Sequence, residues 1–161
     1  MHLRPTFFAQ WLLYPHLRET IVEDGIIDLY GEGRHAPIAA EDQARLIAAI
    51  LAQPAAHFGK TYPLHDPIEL DQAGIAAAVS EVLGRKISCP LTIPQYRERS
   101  QKAGLPEFMV HHFCAIALDY QNGIFSGEDK IIAEVTGQPP MTVQEFVTLH
   151  RDAFEGASAV A

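Results

Sequence analysis

The sequence predicts an α/β protein that is mainly helical, with a few short strands. Two observations carry that class. Short apolar runs stopped by prolines or polar turns, such as His2-Leu3-Arg4-Pro5, Gly25–Tyr30 and Lys60–Leu64, have the length of strands. Most of the remaining chain repeats apolar residues at three- and four-residue intervals, closed by Gly84, Gly104 and Gly137, as amphipathic helices are.

A length of 161 residues and a composition of 48% hydrophobic and 20% charged residues suit one globular domain, assigned to residues 1–155 with a disordered tail at 156–161. The formal charge of −8 argues against nucleic acid and anionic membrane as partners, since either needs a basic stripe. The densest cationic cluster, Arg97, Arg99 and Lys102, is interrupted by Glu98 and reads as a solvated helix face. Cys89 and Cys114 stand far apart, without the spacing of a zinc site or a disulfide framework, and read as small buried hydrophobes. The N-terminal apolar run is short, contains Gln10 and lacks a cleavage site, and no stretch reaches 18 apolar residues. A cytoplasmic protein is the expectation.

The strand at residues 2–5 leads into a helix of about 7–17, with Phe7, Trp11 and Tyr14 on one side and Pro15 shortening or kinking it. Those aromatics have two readings: core, or the wall of a pocket at a strand's carboxyl end. Gly25–Tyr30 is a strand, and Gly31-Glu32-Gly33-Arg34-His35 a turn. A helix over about 41–52, a strand at 60–64 and a helix over about 71–83 capped by Gly84 follow.

Gly31-x-Gly33-x-x-Ala36 after a strand mimics a dinucleotide-binding fingerprint. It is rejected, because Pro37-Ile38-Ala39 delay the helix whose N-terminus should meet the pyrophosphate. The nearest suitable acid, Asp66, also comes about 33 residues after Gly33 rather than roughly 20.

Residues 85–91 form a further strand, held to a sheet edge by Pro90, before a polar helix over about 94–103. Pro106 opens a long helix, about 106–121, whose Phe108, Val110, His112, Phe113, Ile116, Ala117 and Tyr120 predict burial on more than one side. His111 with Cys114 has ligand spacing but no third donor, so no metal site is assigned. A short helix at about 128–135 ends at Gly137. The capping box Thr142-Val143-Gln144-Glu145 opens a last helix, about 143–154, packed by Val143, Phe146, Val147 and Leu149.

Three segments, in this order, resemble the C-terminal half of the NmrA-like group of atypical short-chain dehydrogenase/reductases. They are Leu3-Arg4-Pro5-Thr6-Phe7-Phe8; Gly31–Arg34 through Ala40–Ala44, with Gly59–Tyr62; and Thr136–Pro140 followed by Glu145-Phe146. The resemblance spans nearly the whole chain. It implies a truncated Rossmann-like fold lacking the N-terminal dinucleotide-binding βα units, with NAD(P) as the cofactor of full-length members and none in the isolated chain. By position it implies that Pro5, Thr6, Phe7, Phe8 and Trp11 line the substrate cleft. Met109, His112 and Phe113 on the long helix are inferred to close it from the other side. No Tyr-x-x-x-Lys occurs: the residues four after Tyr14, Tyr30, Tyr62, Tyr96 and Tyr120 are Arg18, Arg34, Asp66, Ser100 and Ile124. No catalytic residue is therefore assigned.

Three functions stay open at this point. One is the substrate half of an NAD(P)-dependent oxidoreductase, without hydride transfer of its own unless a separate nucleotide-binding chain completes it. Another is a ligand-binding or redox-regulatory module that takes a small apolar ligand. The third is a cofactor-independent enzyme using His112, His111 or Asp119 as base. A strand normally inside a sheet would present a bare edge, which predicts a homodimer or higher homo-oligomer.

Overall fold

The computed structural model describes residues 1–27, 32–89 and 92–155. It opens on β1 (His2–Pro5), then a 3₁₀ turn over Ala9–Leu13, α1 (Pro15–Glu19) and a π turn over Thr20–Asp24. There follow β2 (Arg34–His35), α2 (Ala40–Ala52), β3 (Thr61–Leu64), β4 (Leu70–Asp71) and α3 (Gln72–Leu83). The rest is mostly helical: α4 (Ile93–Lys102), α5 (Glu107–Gln121), α6 (Ile131–Thr136), α7 (Val143–Leu149) and α8 (Arg151–Phe154).

β1 and β3 pair in parallel, His2 opposite Thr61 and Pro5 opposite Leu64. Parallel neighbours need a crossover, and α2 supplies it. β2 and β4 form a small antiparallel pair, which the sequence reading had placed in a turn and at a helix start. The strands expected at 25–30 and 85–91 reduce, among the described residues, to one parallel bridge between Ile26 and Ser88. Residues 28–31, 90 and 91, and the expected tail at 156–161, lie outside the described residues.

The helix expected over 7–17 is divided. Tyr14 is extended, with φ −60° and ψ 135°, because a residue before proline is pushed out of the helical region. Pro15 then starts α1 at its first position rather than kinking a longer helix. Pro106 likewise caps α5 instead of opening it, and the last helix breaks at His150 into α7 and α8. The Thr142–Glu145 capping box is present, and Thr92–Gln95 forms a second one. Gly84 and Gly137 close their helices at φ 65° and 73°.

α5 departs most from expectation. Its buried residues are Val110, Cys114, Ala117 and Tyr120, a single face, while Phe108 is 74% exposed and His112 lies on the solvent side. α4 and β2 pack against it, with Phe7 and Trp11 reaching its Tyr120 and Phe113, while Phe108 and Leu118 stay exposed.

One core cluster unites the two ends of the chain, packing Leu12, Leu17 and Ile21 with Ile75 and Val79 of α3 and with Phe146, Val147 and Phe154. A second joins Leu46 and Ile50 of α2 to Leu64 and Ile132, and a third joins Tyr96 of α4 to α5. The second and third signature segments meet in a polar latch. The Arg45 guanidinium donates to Asp42 Oδ1 at 2.6 Å, to Gln138 Oε1 at 2.8 Å and to the Pro139 carbonyl at 2.8 Å. Asp42, only 3% exposed, takes the Met141 N–H on its other oxygen at 2.7 Å.

Candidate functional site

Beyond β1 the chain stays extended. The Thr6 N–H donates to the Leu64 carbonyl, and Phe7 and Ala9 exchange hydrogen bonds with Ile38. Successive side chains therefore point to opposite faces. Phe8 joins the Leu46–Leu64 core, and Phe7 enters an aromatic cluster on the other side. The Phe7 ring meets Trp11 edge-on at 5.7 Å and lies 5.1 Å from Tyr120, 5.0 Å from Phe125 and 5.9 Å from His35.

The 3₁₀ turn then carries Trp11 to the mouth of a cavity of about 380 Å³ between α1, α4 and α5. Trp11, Tyr14, Leu17, Tyr96, Met109 and Phe113 form most of its wall, with Pro15, His16 and Leu105. Trp11 packs edge-on against Phe113 at 5.8 Å and lies tilted to Tyr14 at 5.3 Å. Tyr96 stands edge-on to Phe113 at 6.4 Å. Among the described residues the wall holds no carboxylate, lysine or arginine, so it suits an apolar, ring-bearing ligand.

Of the eight residues singled out from sequence, Trp11, Met109 and Phe113 meet in this cavity. Phe7 stands behind Trp11. Pro5, Thr6, Phe8 and His112 do not line it. Pro5 is an exposed strand end, Phe8 is core, and His112 is turned to solvent because the opposite face of α5 is the one that packs. Tyr96 and Leu105 were missed, since α4 reads as a polar helix; Tyr96, the one aromatic within it, was the available signal. His111 and Asp119 are also exposed, away from the cavity.

His35 was missed too, being read as part of a glycine-rich turn. It is 4% exposed, edge-on to Tyr120 at 4.9 Å, and its Nδ1 has no partner among the described residues. Burial lowers its pKa from 6.5 to about 4, against an opposing pull from Glu69. Burial also pushes the Tyr120 hydroxyl upward. Asp66, following β3, is raised from 3.8 to about 6 by burial, with Asp42, Glu145 and Asp129 adding repulsion and the Ile68 N–H opposing.

The geometry of the glycine turn bears on the cofactor that the resemblance implies. A Cβ on Gly33 would sit 2.2 Å from the Tyr120 carbonyl oxygen, so this glycine serves the close approach of the chain to α5. The next helix, α2, opens only at Ala40, too late to aim its N-terminus into the turn. Among the described residues, this segment does not fit a dinucleotide's phosphates.

No family model matches the chain. It is 32% identical over 161 residues to the NAD(P)H azoreductase of Xenophilus azovorans, covering 96% of this chain and 54% of that protein. It is 33% identical over 142 residues to festuclavine synthase II of Penicillium roqueforti, covering 86% of this chain and 49% of that one. The chain is a homologue of NmrA-like, NAD(P)H-dependent reductases. Its fold agrees: the Escherichia coli NADPH-dependent quinone oxidoreductase complexed with NADPH superposes with a TM-score of 0.77 at 20% identity. That match covers 92% of this chain and 52% of the other. The chain spans about half the length of the curated relatives it matches. Among the described residues no helix is long and apolar enough to cross a membrane.

Proposed function

We propose that this chain is the substrate-side half of an NAD(P)H-dependent oxidoreductase, with the dinucleotide held by sequence outside these 161 residues. The cavity of Trp11, Tyr96, Met109 and Phe113 carries the reading. Burying a flat apolar ring there releases water from both partners, and the aromatic walls add edge-on contacts worth about 0.5–1.5 kcal/mol each. The azoreductase relative is named for an azo substrate and the quinone oxidoreductase of like fold for a quinone, and a flat apolar quinone suits the same cavity. By itself the chain binds the substrate without transferring hydride. A homodimer or higher homo-oligomer is part of this proposal, as are a cytoplasmic setting and, for the nucleotide half, a separate chain.

One observation favours a second reading. Among the described residues the wall is mostly apolar, with His16 its one imidazole, and the bases weighed from sequence, His111, His112 and Asp119, lie elsewhere. That composition suits a ligand-binding or redox-regulatory module without catalysis.

Trp11 is the chain's single tryptophan and lines the cavity, so its fluorescence reports occupancy directly. Menadione, a small apolar quinone, is expected to quench it saturably. Phe113→Ala should weaken that binding about tenfold, the loss of a well-packed aromatic contact. Quenching that is linear and unchanged in the variant would remove the cavity as a ligand site. NADPH titrated into the same protein should show no saturable change in its own fluorescence; micromolar binding would overturn the placing of the nucleotide site outside this chain.

A further inference from the structure

A smaller cavity, of about 210 Å³, lies between the loop after β3, the middle of α3 and the start of α7. Ile68, Leu70 and Val143 give it apolar surface, and Gly74, Ala77 and Ala78 of α3 are small enough to leave the space open. Two carboxylates line it, Asp66 and Glu81, and among the described residues no lysine, arginine or histidine does. It shares no residue with the aromatic cavity.

The observation that singles this cavity out is Asp66, only 4% exposed. Its Oδ1 accepts the Ile68 N–H at 2.9 Å. Its Oδ2 has no hydrogen-bond partner among the described residues, and it is not one of the atoms sealed from solvent. The carboxylate sits between the two walls: Ile68, which it bonds, lines one, and Glu145 in the first turn of α7, which forms the other, is near enough to repel it. A carboxylate has sites for about four hydrogen bonds. This one holds a single backbone N–H, with Asp42, Glu145 and Asp129 as its charged surroundings, and so lacks a counter-ion. Asparagine would make the same turn with Ile68, so local structure does not account for the charge. Glu81, exposed at the mouth, also spends one oxygen, on the Gln144 amide at 3.1 Å, and leaves the other without a hydrogen bond among the described residues.

The lining also states what would satisfy these oxygens. Two carboxylates repel an anion, and α7 offers no counterweight: it has seven residues, and its capping box spends the Thr142 and Glu145 N–H groups. Calcium and magnesium take about six or more oxygens, waters included, and this wall is largely apolar. No group of three metal-ligating side chains occurs among the described residues. We propose that the cavity binds a small primary ammonium ion, its N–H groups donating to Asp66 and Glu81 and its alkyl chain lying on Ile68, Leu70 and Val143. The volume falls below the range of about 300–1,000 Å³ usual for drug-sized ligands, which limits the chain to a few carbons.

The test is an amide-resolved NMR titration of the full chain at about pH 7.5, above the value of about 6 to which Asp66 is raised. The probes are n-butylammonium chloride and tetramethylammonium chloride at matched ionic strength. Butylammonium should move the Ile68, Gly74 and Val143 amides together and saturably. Tetramethylammonium, with the same charge and no N–H donor, should bind at least about tenfold more weakly, as expected where a site is built around hydrogen bonds. Asp66→Asn keeps an acceptor for the Ile68 N–H and should fold, but should lose at least about tenfold in butylammonium affinity. Absent shifts with butylammonium, equal binding of tetramethylammonium, unchanged affinity in a folded Asp66→Asn, or magnesium chloride moving the same resonances more strongly would each overturn the assignment. If the asparagine variant does not fold, the two ammonium ions still decide the question on the unaltered protein.

Discussion

At the scale of single residues, the buried titratable groups set how the protein responds to pH. His35 is held neutral among Phe7 and Tyr120, with its pKa lowered from 6.5 to about 4. As pH falls below 6.5 the unfolded chain takes up a proton that the folded chain refuses until about 4. Stability is therefore complete above that window and lost through it, by about 3 kcal/mol for a shift of this size. Asp66 works the other way. Its raised pKa gives a contribution present in full below 3.8 and lost as pH rises through about 6. Urea unfolding of the parent and of His35→Leu at pH 7 and 4.5 should show a smaller acid loss in the variant; equal losses would mean that His35 is not the acid-sensitive group. Asp66→Asn, which can still accept from Ile68, should gain about 1 kcal/mol at pH 7 after allowance for solvent screening. Gly33 makes a steric rather than conformational demand. Gly33→Ala should cost about 2–4 kcal/mol by pushing α5 off β2, read as a drop in urea midpoint at constant slope.

At the scale of elements, the signature segments act as fasteners. Arg45 holds the loop before α7 onto α2 and neutralises a carboxylate that would otherwise be buried with one amide for company. Removing one partner of a buried pair leaves an uncompensated charge, so Arg45→Ala should cost about 2–3 kcal/mol. Amide exchange at Met141 and its neighbours should quicken in the same variant. Normal protection there would show that the loop is held by other contacts. The Thr142–Glu145 cap was legible because it rests on two residues three apart, a pattern that Thr92–Gln95 also has although the sequence analysis did not single it out. The break at Tyr14 was legible in part: Pro15 marked it, but its consequence, two short helices rather than one bent one, depends on the strand-like pairing of Phe7 and Ala9 with Ile38.

At the scale of the whole molecule, the first and last helices share one core, so residues 12 to 154 are coupled through Leu17, Val79, Phe146 and Phe154. Among the described residues the β1–β3 pair leaves an outer edge open on β1, since His2 and Thr6 spend their N–H groups on the β3 side. Leu51, Phe58 and Met1 are exposed at 70%, 76% and 45%. An open strand edge with apolar surface favours association. Sedimentation velocity across a wide concentration range should therefore show a dimer or larger species. A single monomeric boundary throughout would sink the oligomer.

What the sequence determined by itself was the class, some of the helix ends and the family, because propensity, caps and motif order are local and survive being read along a line. It also singled out Trp11, Met109 and Phe113, which the fold brings to one cavity, since an aromatic after a strand and apolar residues on a long helix each announce a surface to be covered. The tertiary structure decided which face of α5 is covered, putting His112 in solvent and Cys114 inside. It also decided that Phe8 turns to the core while Phe7 supports Trp11, and that Tyr96 and Asp66 each border a cavity. Periodicity states that an apolar face exists. Only the packing partner, set by contacts far apart in the chain, fixes where that face points.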